Sequence, residues 1–180
     1  MADFFETDAG QFASIAKQFL EGALTLDAAQ KEKGRILFRP TLALAGQGLE
    51  LMLKACLCIN GITPTKGREG HNIEKLWSND ACEPARGHVY VNARIVAGDD
   101  RSNGNYPDVP KEEDVLTLIQ EYVLELGRLH GGGEYPLRYP ANPNQTAPRT
   151  PFLVKSLWRT ADDLVKRPND FELRRFRGMN

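Results

Sequence analysis

The chain has 180 residues, of which 41% are hydrophobic and 26% are charged, and its formal net charge is -1. This length suffices for one domain with its own core, and the composition excludes an intrinsically disordered chain. The near-zero net charge excludes a global field that would attract nucleic acid or membrane. Any such binding would require a local patch of charge.

Apolar spacing predicts two long helices in the first third of the chain. Residues 9–26 form an amphipathic pattern and are followed by a charged linker at residues 30–34. Residues 37–60 are apolar on several sides, which is typical of the central helix of a bundle. Gly46 and Gly48 within this helix indicate close approach by a neighbouring backbone, and Gly61 ends it.

The rest of the chain alternates helical patterns with loops rich in Gly, Asn and Pro. Residues 84–96 fit both a strand and a helix, with Val89, Asn92, Ala93 and Val96 at helical spacing. The other predicted elements are a short helix at 71–77, a loop at 99–110, a helix at 112–130, a Pro-rich tether at 136–151, a helix at 151–165 and a basic, aromatic tail at 171–177.

Neither cysteine chemistry nor a membrane segment is predicted. Cys56, Cys58 and Cys82 follow no disulfide or zinc spacing, so we expect buried reduced thiols and no metal site. The first eight residues are acidic, unlike a signal peptide, and Glu50 and Lys54 make the longest apolar stretch too polar to span a membrane. We therefore expect a cytoplasmic protein with no membrane partner and no cofactor.

Three short motifs resemble the HEPN superfamily. They are LELMLKA at residues 49–55, GHNIEKL at residues 70–76 and LRYP at residues 137–140. In that superfamily a helix bearing Glu and Lys one turn apart is followed by a loop and a helix that starts with His. The resemblance implies an all-α, up-and-down helical bundle and favours a helix at residues 84–96. We assign residues 1–140 to this bundle and residues 141–180 to the tether and a C-terminal helix packing on the same domain.

The resemblance also suggests a binding groove. Glu50 and Lys54 share a helix face, where they either form a structural pair or hold and orient a phosphate. His71 either caps a helix, hydrogen-bonds to the preceding helix, or contacts an anion together with Lys66 and Arg68. The candidate ligand-binding residues are Glu50, Lys54, Arg68, His71, Arg138 and Tyr139.

Ribonuclease members of the superfamily carry an Arg followed by a His after about four to six intervening residues, and two subunits combine these residues in one site. The histidines here are His71, His88 and His130, and the nearest preceding arginines are too close in sequence to match. A variant catalytic pair of Arg128 and His130, at the end of the long helix, is the remaining candidate.

Three functions therefore stay open. The first is a module, expected to be a homodimer, that binds a nucleotide, RNA or a partner protein in a cleft between helices or subunits. The second is a metal-independent endoribonuclease of toxin or antiviral-defence type. The third is a non-catalytic structural adaptor. The basic tail either binds RNA or packs on an acidic face of the chain.

Overall fold

The computed structural model describes residues 3–65, 67–104, 114–131, 137 and 147–173, apart from the side chains of residues 35, 68 and 69. This part of the chain contains six α-helices and no strand, which confirms the predicted all-α bundle. The helices are α1 (Asp8–Lys33), α2 (Phe38–Ile59), α3 (Ile73–Trp77), α4 (Glu83–Ser102), α5 (Val115–Gly131) and α6 (Thr150–Lys166).

Helix α1 extends about two turns further at its C-terminal end than its apolar pattern predicts. It starts after Thr7, whose hydroxyl accepts a hydrogen bond from the Gly10 amide at 3.1 Å. The predicted linker at residues 30–34 is wrong, because this charged run consists of good helix formers and its lysines suit the negative end of the helix dipole. Gly34, at φ +66°, ends the helix.

Helix α2 is the central helix and runs antiparallel to α1. The two helices meet closely at Gly48, where a Cβ would lie 2.5 Å from Leu20 Cγ and 3.2 Å from the Ala16 carbonyl oxygen. This contact confirms the predicted close backbone approach at Gly48. By length and composition α2 could cross a membrane, contrary to the sequence argument, but 72% of its apolar window is buried inside this protein. Burial in the bundle accounts for its apolar character.

The segment that fits both a strand and a helix is helix α4. Its core side carries Ala85, Val89, Ala93 and Val96, which are at most 3% exposed and recur at helical spacing. The helix continues to Ser102, so the predicted loop does not begin at residue 99. Residues 105–113, where that loop was expected to continue, lie outside the described residues.

Helices α5 and α6 agree closely with their predicted ranges of 112–130 and 151–165. Helix α6 packs antiparallel to α1, and the Trp158 indole nitrogen donates a hydrogen bond to Glu21 at 2.6 Å. Its other side packs against α4, where Asn92 donates to Asp163 at 2.8 Å. Most of the predicted Pro-rich tether lies outside the described residues, and so does the tail beyond residue 173.

The end of α2 holds the C-terminal segment in place through Asn60. The Asn60 side-chain nitrogen donates to the Ala81 and Phe171 carbonyl oxygens at 3.2 and 3.0 Å, and its side-chain oxygen accepts from the Leu173 amide. All three cysteines are free thiols, as predicted, and two of them are buried. Cys58 is only half-buried, which corrects the prediction that all three lie in the core.

Candidate functional site

A single buried carboxylate, that of Glu50 on α2, accepts hydrogen bonds from three basic side chains. Oε1 accepts from Lys54 Nζ at 2.7 Å and from His71 Nδ1 at 2.9 Å, and Oε2 accepts from His130 Nε2 at 3.0 Å. Glu50 is 0% exposed. We call these four residues the Glu50 cluster. It joins α2 to α5 and to the turn before α3.

The turn before α3 delivers His71 to the cluster. Residues Arg68–His71 form a 3-10 turn, and a Cβ at Gly70 would lie 1.9 Å from the Thr65 carbonyl oxygen, so this turn requires glycine there. The cap of α3 is Asn72, whose side-chain oxygen accepts from the Lys75 amide at 2.9 Å. His71 is therefore not the cap, and it hydrogen-bonds to the preceding helix, which was one of the predicted alternatives.

His130 reaches the cluster from the last turn of α5, across a span of 80 residues. Its ring lies directly against α2 at Gly46, where a Cβ would be 2.6 Å from His130 Nδ1. The predicted close approach at Gly46 thus involves an imidazole ring and not a neighbouring backbone. Glycine at position 46 makes room for the ring that completes the cluster.

The cluster keeps the Glu50 carboxyl ionised. Burial raises the pKa of this carboxyl, because a charge is poorly solvated in the core. Hydrogen bonds from His130 and Lys54, the charge of Lys54 and a smaller contribution from His71 outweigh burial and lower the pKa to about 2. An ionised carboxylate only accepts hydrogen bonds, so the proton in each imidazole contact must lie on His71 Nδ1 and on His130 Nε2.

Exposure distinguishes His71 from the rest of the cluster. Its side chain is 58% exposed, whereas those of Lys54 and His130 are 10% and 8% exposed. With Nδ1 held by Glu50, the other ring nitrogen of His71 has no hydrogen-bond partner within the described part of the chain. A buried carboxylate that fixes one imidazole nitrogen and leaves the other accessible is an arrangement suited to proton transfer or anion binding.

The low pKa of Glu50 makes the stability of the fold depend on pH in the acidic range. Its pKa is about 2 in the folded chain, against 4.5 for an ordinary glutamate, so the unfolded state takes up a proton first as the pH falls. The stabilisation, about 3 kcal/mol, is complete above pH ~5 and is lost as the pH falls toward 2. Urea unfolding at pH ~5 and ~3 should show a loss of about 2 kcal/mol of this stabilisation, since the rest is lost only below pH ~3. A Glu50→Ala variant that lost as much stability as the unchanged protein over this interval would contradict the assignment.

The structure brings together four of the predicted site residues and separates one. Glu50, Lys54, His71 and His130 are in contact, while Arg128 is exposed and lies roughly 200° around α5 from His130. The predicted pair of Arg128 and His130 therefore does not converge on one point, and His130 is held by Glu50.

The remaining predicted site residues lie partly or wholly outside the described part of the chain. The backbone of Arg68 lies in the turn that carries His71, and its side chain is outside the described part. Arg138 and Tyr139, like Lys66, lie outside the described residues.

Two other features were not anticipated from the sequence. A cavity of about 460 Å³ opens between the start of α1, the end of α2 and residues 168–172, and it includes no residue of the Glu50 cluster. On α4, His88 Nδ1 lies 3.5 Å from Asp163 Oδ2, and its ring stacks on Phe171 at 4.3 Å. Among the described residues, no group of three or more His, Cys, Asp and Glu side chains is arranged to hold a metal ion.

Comparison with models of known protein families, with curated proteins and with solved structures finds no match to this chain. The described part of the chain is therefore characterised by its own structure: it is an all-α bundle in which a buried carboxylate binds one lysine and two histidines.

Proposed function

We propose that this chain is a HEPN-like module that binds a phosphate group of RNA or of a nucleotide at the exposed edge of the Glu50 cluster. The observation that carries the proposal is the hydrogen bond from His71 Nδ1 to the buried Glu50 carboxylate, with the rest of the His71 ring exposed. Glu50, Lys54 and His71 belong to two of the three motifs on which the HEPN resemblance rests, and their contact supports a shared role for these two motifs.

The charges of the cluster favour an anion at His71. Lys54 neutralises Glu50, so the cluster has no net negative charge that would repel a phosphate. His71 Nε2 becomes a hydrogen-bond donor when the ring takes up a proton. Arg68, three residues earlier in the same turn, adds a second positive charge to this segment. Binding should therefore be accompanied by proton uptake and weaken as the pH rises.

A second candidate function, metal-independent RNA cleavage, follows from the same hydrogen bond. In the neutral ring, a proton on Nδ1 leaves the lone pair of Nε2 free to accept the proton of a ribose 2′-hydroxyl. The 2′-oxygen would then attack the adjacent phosphorus to form a 2′,3′-cyclic phosphate, and the 5′-oxygen of the next nucleotide would leave as a hydroxyl with a proton taken from water. The base in this scheme is His71, whereas the sequence suggested His130, which is 8% exposed and already bound to Glu50.

The test is binding of a fluorescent single-stranded RNA and of ATP by the purified protein at pH ~6 and ~8, within the range where imidazole titrates. We expect His71→Ala to weaken binding at least about tenfold, the worth of one charge-assisted hydrogen bond. The matched control is His88→Ala, because His88 also pairs with a carboxylate but lies on α4 outside the cluster.

The outcomes separate the two candidates. Binding that weakens at higher pH and is lost in His71→Ala but not in His88→Ala supports the phosphate site. RNA cleavage that survives EDTA and disappears in His71→Ala supports the nuclease. Absence of binding at millimolar ligand, or equal binding by both variants, contradicts the proposal and leaves the cluster as a structural network.

A further inference from the structure

The cavity between the start of α1, the end of α2 and residues 168–172 has the size of a small-molecule site. Its volume of about 460 Å³ lies within the range of ligand pockets in proteins, about 300 to 1,000 Å³. Its lining combines apolar side chains with a few hydrogen-bonding groups, which is the usual composition of such pockets. Because it shares no residue with the Glu50 cluster, it is a separate candidate site.

The charged side chains that line this cavity are all negative. Among the described residues of the lining they are Asp8 and Glu172, with no lysine, arginine or histidine beside them. Neither carboxylate forms an ion pair within the described part of the chain, whereas Asp162 and Asp163 on α6 are both paired. The cavity therefore carries two negative charges that no neighbouring cation compensates.

The end of α2 makes the cavity more negative still. Gly61, at φ +76°, ends the helix, and its amide donates to the Cys58 carbonyl at 3.0 Å. The Ile59 carbonyl accepts no hydrogen bond from the described residues, and a helix end of this kind carries roughly half a negative charge. The start of α1 carries the opposite partial charge, but Asp8 in its first turn offsets it.

The thiol of Cys58 in the cavity wall stays neutral. Burial and the nearby charge of Asp8 raise the pKa of this thiol above its ordinary value of 9.0. The thiolate is the reactive form of cysteine, so at neutral pH this side chain is a poor nucleophile. A ligand of this cavity is therefore held by non-covalent contacts.

The remaining lining suits a ligand with an apolar body. Phe4, Ile62 and Pro64 supply apolar wall, and Ile62 is 42% exposed, so a ligand that covers it removes apolar surface from water. An ammonium group has three hydrogen-bond donors and no acceptor. The two carboxylates and the Ile59 carbonyl are acceptors, so the polar part of the cavity matches an ammonium group.

We propose that this cavity binds a small primary amine, with the ammonium held by Asp8 and Glu172 and the apolar body packed against Phe4 and Ile62. A phosphate or another anion would be repelled by the same carboxylates. The cavity and the Glu50 cluster would thus select ligands of opposite charge. The proposal does not depend on the function proposed for the cluster.

The first experiment follows the isoleucine methyl signals of the full chain by NMR as 2-phenylethylamine is added at pH ~7, where the amine is protonated and the carboxylates are ionised. The signals of Ile59 and Ile62 should move with a dissociation constant of about 1 mM or tighter. The signals of Ile119, which is 0% exposed on α5, should stay in place.

The matched ligand is 2-phenylethanol, which keeps the apolar body and replaces the ammonium by a hydroxyl. It should bind at least about tenfold more weakly, because it lacks the charge that the carboxylates attract. Equal binding of the alcohol and the amine overturns the proposal. So does a spectrum that shows no change in Ile59 and Ile62 at about 10 mM amine, well above the expected dissociation constant.

Charge removal tests the two carboxylates. Glu172→Gln should weaken amine binding about threefold, the effect of one exposed ion pair, and the double variant with Asp8→Asn should weaken it about tenfold. The matched control is Glu121→Gln, which removes one exposed negative charge on α5 outside the cavity and should leave binding unchanged. Unchanged Ile119 signals show that each variant is folded. A folded double variant that binds the amine as tightly as the unchanged chain overturns the proposal.

Discussion

Replacement of Glu50 by alanine should lower the free energy of unfolding by about 3 to 5 kcal/mol, which is the usual effect of removing one partner of a buried charge pair. The variant leaves the Lys54 ammonium and the His130 ring buried without the carboxylate that binds both. Urea unfolding measures the loss, and the melting temperature should fall by roughly 10 °C for a chain of this size.

The matched control for this variant is Asp162→Ala. Asp162 also binds two lysines, at 3.3 Å from Lys17 and 2.7 Å from Lys166, but its side chain is 28% exposed. Water replaces its contacts, so we expect a loss of only about 1 kcal/mol or less. Equal losses for the two variants would show that Glu50 behaves as a surface carboxylate, contrary to its position in the structure.

A double variant separates the structural and functional roles of the cluster. Glu50→Met combined with Lys54→Met removes both charges together and should recover much of the stability lost in Glu50→Ala, since a buried pair is often replaced by apolar side chains without loss. If the cluster binds phosphate, this stable variant should nevertheless bind RNA poorly, because the carboxylate that orients His71 is gone.

Gly46→Ala should destabilise the fold by about 1 to 3 kcal/mol, the range typical of overpacking. The new methyl group would lie 2.6 Å from His130 Nδ1 and 2.9 Å from Cγ, so the ring must move away from Glu50. Alanine also has a higher helix propensity than glycine. The measured loss of stability is therefore the cost of the clash minus this gain in helix propensity.

Gly87→Ala should change the stability of the fold in the opposite direction from Gly46→Ala. Gly87 is also within a helix, but apart from its chain neighbours and the backbone of its own helix, no atom in the described part of the chain lies within 4 Å of the position of a Cβ. The free energy of unfolding of the chain should rise by about 0.5 to 1 kcal/mol, because alanine has a better helix propensity than glycine. Thermal unfolding of Gly46→Ala and Gly87→Ala measures both changes in stability. A Gly46→Ala variant that is more stable than the unchanged protein would contradict the position of His130.

Local sequence patterns predicted part of the candidate site. Glu50 and Lys54 are one turn apart on an apolar helix, so their pairing at 2.7 Å inside the core follows from helix geometry. His71 follows after a short loop, and a hydrogen bond back to the preceding helix was among the predicted alternatives.

The position of His130 could not be derived in the same way. It depends on how α5 packs against α2, and a contact across 80 residues has no local signal. Gly46 was the available indication, since a glycine inside a helix signals a close neighbour without identifying it. The extension of α1 to Lys33 was missed for a different reason, because a charged run with good helix propensity resembles a linker when it lacks apolar residues.

The most direct test of the central claim is a titration of phosphate-bearing ligand followed by the ring nitrogen signals of the histidines in NMR spectra. The single-stranded RNA used for binding serves as the ligand. We expect His71 to carry its proton on Nδ1 in the free protein and its Nε2 signal to move as ligand is added, while the signals of His130 and His88 stay in place. Unchanged His71 signals at saturating RNA, or a His71 ring protonated only on Nε2, would contradict the claim that Glu50 orients His71 to bind phosphate.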